Sequence, residues 1–218
     1  MKYAAIIAII LSSSFGLYTW MNNPESQMVA VTVRAGSKAE MALPDGTFVH
    51  LNAATNLEYD VNNSKQRLVK LSGEAFFDVA KNPDCPFKVI INDLQIEVVG
   101  TSFNVKTYKK DIVETSLLSG RIRISGGSLP HEYTLSPGQK ATYSAMDRTL
   151  RISKADAHVE AGWRDNYLIF ESTPLIDVIA QIERWYGVEI RLHHKQIAQD
   201  LLSGSFRNES IQNVIRDT

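Results

Sequence analysis

The sequence predicts a mainly β protein with a small α+β module at its C-terminal end and one apolar segment at its N-terminus. Three observations carry that expectation. From residue 28 to about 153 the chain runs in short stretches of alternating apolar residues, each closed by Gly, Pro, Asn or Asp. After residue 160 the period changes, and apolar residues recur at helical spacing. Ahead of both, no charged residue occurs from Tyr3 to Met21.

The N-terminal run is long enough to span a bilayer, since about 20 apolar residues cross its core as a helix. Lys2 precedes the run, and Asn22, Asn23, Pro24 and Glu25 follow it. A positive charge on that side keeps the N-terminus in the cytoplasm and sends the remainder across the membrane. Tyr18 and Trp20 suit the membrane–water interface. A cleaved signal peptide is the alternative, but no A-x-A-like site follows the apolar core. Residues 1–24 are therefore expected to be a single-pass anchor, with residues 26–218 exported.

Residues 28–155 form the expected β domain. Its strands lie in "MVAVTVRAG", "AEMALPDGTFVHLN", "RLVKLSGEAFFDV", "FKVIIN", "LQIEVVGTSFNVKTY", "IVETSLLSGRIRIS" and "YTLSPGQKATYS". Pro44-Asp45-Gly46 marks a turn, because Pro fixes φ at one position and Gly supplies the strained one. Strands so closely spaced, with no helix between them, argue for a sandwich, a barrel or a β-solenoid. No strict repeat selects the solenoid.

Residues 160–218 read as a β-α-β-β-α module. "NYLIF" (166–170) is a strand, and Thr173-Pro174 offers an N-cap with Pro at the first helical position. Leu175, Val178, Ile179, Ile182, Trp185 and Tyr186 share one helical face, and Gly187 ends the helix. "VEIRL" (188–192) and "LLSGSF" (201–206) are read as strands and "ESIQNVIRDT" (209–218) as a second helix. The pattern stops at Thr218 before a closing strand, so the module is expected to be incomplete.

Composition narrows the function classes. With 218 residues, 44% of them apolar and 22% charged, the chain can bury one or two domains. A net charge of −1 with no run of Lys and Arg gives no footprint for a nucleic-acid partner. Cys85 is the single cysteine, so no internal disulfide is expected. No phosphate-binding loop, dinucleotide fingerprint or G-x-S-x-G elbow occurs. His131-Glu132 opens like a zinc-protease motif, but Leu135 stands where the second His is required. His193 and His194 are adjacent and would point to opposite faces of a strand. No metal site, no cofactor and no conventional enzyme is expected. Glu74, Asp78, Asp45 and Glu97 are scattered, and solvated strand faces are their expected place.

One stretch invites chemistry. In "IEVVGTSFNV" (96–105) the alternation breaks at Gly100, and Thr101 follows at once. A threonine hydroxyl can attack the preceding carbonyl, and glycine on the acyl side removes the Cβ that would hinder it. A general base would be needed, and the sequence names none. The plain alternative is a bulge or a close approach of backbones.

Several stretches together carry a family resemblance. "MALPDGTFVHLNAATNLEY", "RLVKLSGEAFFDVAKNPDCPFKV", "IEVVGTSFNVKTY", "LLSGRIRI" and "LSPGQKATY" follow the order and spacing of the FecR-like periplasmic domain. "LIFESTPLIDVIAQIERWYGVEIRL" resembles the C-terminal module of such regulators from Bacteroidetes, which is similar to secretin and TonB short N-terminal domains. The resemblance implies a solenoid-like β body in an inner-membrane anti-sigma regulator, its N-terminus cytoplasmic and residues 26–218 periplasmic. Its implied partner is the periplasmic signalling domain of a TonB-dependent transporter. Control of an extracytoplasmic-function sigma factor is implied to run through a cytoplasmic segment, and only Met1 and Lys2 precede the apolar run here. Some members are cut at a Gly-Thr in the same motif, which makes Gly100 and Thr101 candidates for self-cleavage. Trp185 and Tyr186 are the candidate partner-binding residues, with core packing as their other role. A membrane-anchored glycan-binding module is the competing function, although aromatics make up only 9% of the chain.

Overall fold

The computed structural model describes residues 12–17, 27–61 and 67–217. Most of the expected anchor lies outside the described residues. Residues 12–17 are helical, and no helix among the described residues is long and apolar enough to cross a membrane.

Two seven-stranded sheets make up the β body. The first holds, in spatial order, β1 (Met28–Val33), β4 (Thr55–Asp60), β5 (Leu68–Ser72), β7 (Phe87–Ile91), β8 (Leu94–Val98), β11 (Ile122–Gly126) and β12 (Tyr133–Leu135). The second holds β2 (Ala39–Ala42), β3 (Phe48–Leu51), β6 (Glu74–Asp78), β9 (Ser102–Lys106), β10 (Ile112–Ser119), β13 (Gln139–Ser144) and β14 (Thr149–Lys154). Strand number rises steadily across each sheet, so the chain zigzags between the two layers and advances in one direction. Pairing is antiparallel apart from β5 and β7, which run parallel because the chain crosses to the other sheet as β6 between them. The result is a sandwich in its layers and solenoid-like in its path. The sequence distinguished neither, because alternation fixes which side chains face inward but not which strand lies alongside.

That alternation builds the core. Leu57, Val69, Leu71, Val89, Ile96 and Ile124 of the first sheet meet Val49, Leu51, Phe77, Phe103, Val105 and Leu117 of the second. At the centre Phe77 stacks on Phe103 at 5.2 Å and tilts against Phe87 at 5.8 Å, and all three are fully buried. Such pairs add about 0.5–1.5 kcal/mol beyond the area they bury.

One end of the sandwich is tied by a buried guanidinium. Arg67 Nε donates to Asp45 Oδ2 at 2.6 Å, Nη1 to the Cys85 carbonyl at 3.0 Å, and Nη2 to the Ala80 carbonyl at 2.6 Å and Thr47 Oγ1 at 3.3 Å. The Thr47 hydroxyl donates in turn to Asp45 Oδ2 at 2.8 Å. Three connections between strands thus converge on one side chain. Asp45, expected on a solvated face, is half-buried here because it neutralises Arg67, whose side chain is 1% exposed.

The C-terminal module follows a short lead-in. Helix α1 (Ala157–Ala161) is capped by the Asp156 carboxylate, which accepts the His158 N–H at 2.8 Å, and a 3-10 turn follows at Gly162–Asp165. Then come β15 (Tyr167–Pro174), α2 (Leu175–Tyr186), a 3-10 turn at Lys195–Gln199, β16 (Leu201–Arg207) and α3 (Ile211–Asp217). Leu168, Phe170, Val178, Ile182 and Val214 form its own core. The expected face of α2 is buried, and Gly187 closes that helix at φ 68°.

Two expectations are corrected. Residues 188–192 are not a strand: the Ile190 N–H is taken at 2.7 Å by the Glu183 carboxylate, and β15 pairs with β16 instead. Pro174 is the residue before the helix rather than its first turn, because it is still paired with Leu201 in the ladder. The Thr173 hydroxyl correspondingly serves Glu171 and caps nothing.

Replacing Arg67 with Met should leave Asp45 buried without its counter-charge. The expected loss is about 3–5 kcal/mol, read from the urea midpoint at unchanged slope.

Candidate functional site

The outer face of the second sheet is partly roofed by the C-terminal module, and a cleft of about 620 Å³ lies between them. The reason is visible in β6. Glu74, Ala75, Phe76 and Phe77 are all buried, so this central strand is covered on both faces. Ala75 and Phe77 enter the sandwich core, whereas Glu74 and Phe76 face the module. Phe76 packs with Ala161 and Trp163, and the Arg164 guanidinium lies 3.6 Å from its ring centre.

Glu74 is the polar centre of that face and is buried, contrary to the solvated position expected for it. Its Oε2 accepts from Asn52 Nδ2 at 2.8 Å and its Oε1 from Asn104 Nδ2 at 2.9 Å. Both amides are held in orientation from behind. Asn52 Oδ1 accepts the Ala53 N–H at 2.8 Å, and Asn104 Oδ1 accepts Trp163 Nε1–H at 3.2 Å. The site therefore presents two donors that cannot turn to an acceptor-only group. Burial pushes the Glu74 carboxyl above its ordinary value of 4.5, while Lys106 and the two amides pull it back down. With both oxygens committed, Glu74 orients side chains rather than moving protons.

Around this centre the cleft is lined by paired charges. Lys140 Nζ lies 2.8 Å from Glu160 and 3.2 Å from Glu114, and Lys106 lies 3.8 Å from Glu114. Burial alone would raise Glu114, but Lys106 and Lys140 outweigh it and hold the carboxyl below its usual range. Lys109 meets Asp177 of α2 at 2.7 Å. The Tyr108 hydroxyl donates to the Ala53 carbonyl, and Arg184 of α2 lies 4.1 Å over the Tyr108 ring. No group of three His, Cys, Asp or Glu among the described residues is placed to hold a metal ion.

Beside the cleft, Lys38 ties the sandwich to the module. Its Nζ donates to the Trp163 carbonyl at 2.6 Å and to Asn166 Oδ1 at 2.9 Å, and sits 3.7 Å over the Trp185 ring. Lys38 is exposed as a residue, but its ammonium has lost water against the ring and the carbonyl. That burial lowers its pKa to about 8, with the charge of Glu74 opposing the shift.

Trp185 and Tyr186 fall at this junction. Trp185 is half-buried between Lys38 and the Phe76 cluster, and the Tyr186 hydroxyl donates to the Glu209 carbonyl at 2.8 Å. Gly100 and Thr101 lie elsewhere, in the turn between β8 and β9. A Cβ on Gly100 would stand 2.9 Å from Lys81 Cα, so a close approach of backbones demands the glycine there. Thr101 is buried, and its hydroxyl donates to the Arg121 carbonyl at 3.1 Å.

Sequence reasoning missed Glu74, Lys38 and the Asn pair. One signal was present in "GEAFFDV": two consecutive Phe residues put apolar groups on both faces of the strand, so Glu74 had to share a covered face with Phe76.

Comparison with known proteins agrees with this architecture. Residues 29–123 match the family described as FecR protein, and residues 167–217 match the family described as FecR, C-terminal. Two crystal structures of candidate anti-sigma factors from Parabacteroides distasonis ATCC 8503 superpose on the chain. The first has a TM-score of 0.80 at 31% identity, covering 88% of this chain and 90% of the other. The second has 0.79 at 31%, covering 87% and 89%. No curated protein matches. The likeness is to anti-sigma regulators. The chain belongs to the FecR family.

Substituting Asn104 with Leu removes one donor from Glu74 and the acceptor of Trp163. The expected cost near neutral pH is about 1–3 kcal/mol. A raised carboxyl pKa means that Glu74 contributes stability fully present below 4.5 and lost as pH rises through its folded value. Denaturation of wild type and variant at several pH values should therefore show the penalty shrinking as pH falls through the folded value, above 4.5, and smallest below 4.5.

Proposed function

We propose that the chain is the sensing part of a cell-surface signalling regulator acting on an extracytoplasmic-function sigma factor. Its input is the periplasmic signalling domain of a TonB-dependent outer-membrane transporter. Family membership supports sigma-factor regulation, and the apolar run from Tyr3 to Met21 supports an inner-membrane anchor with a periplasmic body. The observation that carries the transporter link is the small sheet of the C-terminal module. Among the described residues β16 pairs only with β15, so its other edge presents unpaired backbone groups. An extended segment of a partner can add there as a further strand, using backbone hydrogen bonds. Trp185 and Tyr186 belong to this reading as residues that seat the module.

Two observations favour additional roles. The cleft counts Tyr108, Trp163, Tyr167 and Trp185 among its lining, a composition that also suits a glycan. Separately, a Cβ on Gly120 would lie 2.7 Å from both the Gly100 carbonyl oxygen and Thr101 Oγ1, so the two groups needed for self-cleavage face one spot. In that step the Thr101 hydroxyl adds to the Gly100 carbonyl carbon and the C–N bond breaks as its nitrogen takes the proton. Water then splits the resulting ester, leaving a Gly100 carboxylate.

Calorimetry of the purified chain against the signalling domain of the transporter encoded beside it should give micromolar affinity or tighter, about −8 kcal/mol. Ser203→Pro and Gly204→Pro each remove one amide, from opposite edges of β16. One of the two should abolish binding with the fold intact, and binding that survives both excludes strand addition. Heat with oligosaccharides and none with the signalling domain would favour the glycan role. Self-cleavage predicts, by intact mass, two fragments meeting at Gly100-Thr101 that disappear in Thr101→Ala. A single uncut species in both proteins removes it.

A further inference from the structure

We propose that the loop between β1 and β2 is a clasp that couples docking of the C-terminal module to the ordering of β1, so that the two are released together. The clasp is built from backbone first. The Gly36 N–H donates to the Arg184 carbonyl at 2.8 Å, at the last turn of α2. Gly36 (φ 77°) and Gly187 (φ 68°) lie face to face. A Cβ on Gly36 would stand 3.2 Å from the Tyr186 carbonyl oxygen and 3.3 Å from Gly187 Cα, and one on Gly187 would stand 3.1 Å from the Ala35 carbonyl oxygen. A Cβ on either side would force its neighbours apart by a few tenths of an ångström, and both positions carry left-handed backbone that side chains resist.

Side chains then lock it reciprocally. Lys38 of the sandwich covers Trp185 of the module, while Arg184 of the module covers Tyr108 of the sandwich. Adjacent residues of one helix thus give and receive a cation on a ring. Lys38 also reaches the Trp163 carbonyl and Asn166, so the loop holds the module at three points of its chain.

β1 is the strand placed to respond. It lies at the edge of its sheet, with β4 as its only ladder partner among the described residues. Its residues from Met28 to Thr32 are exposed or half-buried, and only Val33, next to the loop, is buried. Order in β1 therefore depends on one ladder and on whatever holds its C-terminal end. The module's other contacts, Trp163 with Asn104 and Phe76, Arg164 with Phe76, Asp177 with Lys109 and Glu160 with Lys140, fall on β6, β9, β13 and the turn after β9, all in or beside the second sheet, whereas β1 belongs to the first. The coupling is a property of the chain itself and does not depend on which partner occupies the module.

Amide hydrogen exchange on the full chain tests the clasp from both sides. Gly36→Ala, made in the loop, should speed exchange about tenfold or more in residues 184–187 as well as in 28–33, with the strands around Phe77 unchanged. Trp185→Ala, made in the module, should speed exchange in 28–33 by a similar factor. If Gly36→Ala does not fold, Lys38→Gln replaces it with the same expectation. Acceleration confined to the mutated side, with 28–33 at wild-type rates in Trp185→Ala, overturns the proposal.

Discussion

The buried guanidinium of Arg67 is the constraint around which the sandwich is organised. A charge at this depth is tolerable only where acceptors surround it, and one carboxylate, one hydroxyl and two carbonyls do so here. Those acceptors come from two connections and Arg67 itself sits on a third, so the turn at Asp45-Gly46-Thr47, the β4–β5 connection and the segment from Ala80 to Cys85 are fixed relative to one another. The strands that begin and end there inherit their register from that convergence. Apolar burial then follows, because Phe77 and Phe87 can meet only if the connections flanking them are held in place.

A second buried charge plays the same part for the other half of the molecule. Glu74 sets the orientation of Asn52 and Asn104, and Asn104 offers its carbonyl to the Trp163 indole. The sandwich thereby presents a shaped polar face to the module instead of an indifferent sheet surface. Around it, Lys109, Lys140, Arg184 and Lys38 each find a carboxylate or a ring. The junction is specified by hydrogen bonds and cations on aromatics more than by apolar area.

Much of the fold was legible in the sequence because its strands alternate faithfully. The stretches ending at Gly46, Gly73 and Gly138 all appear as strands and turns where the spacing puts them. Helix α2 was equally plain from its apolar face and closing Gly187. What escaped had a physical cause each time. "VEIRL" alternates as a strand should, yet Glu183 takes its Ile190 amide, and no local pattern announces that competition. Thr173 and Pro174 look like a helix start, yet the ladder with β16 keeps them. Glu74 and Lys38 were hidden because their partners are distant in sequence, and only the folded chain brings them together.

The zigzag path of the chain has a consequence for how such a molecule can be assembled and altered. Each new strand or hairpin is laid beside ones already placed, and the body grows from one end as a stack does. Contacts therefore join neighbours along the stack, a condition under which order can spread from a nucleus without waiting for the chain's two ends to meet. The same geometry lets length vary, within a limit. A strand pair gained or lost at the β12–β14 end would leave the Arg67 centre, assembled from earlier connections, untouched, but it would shift the entry to the module that Asn104 and Lys140 hold.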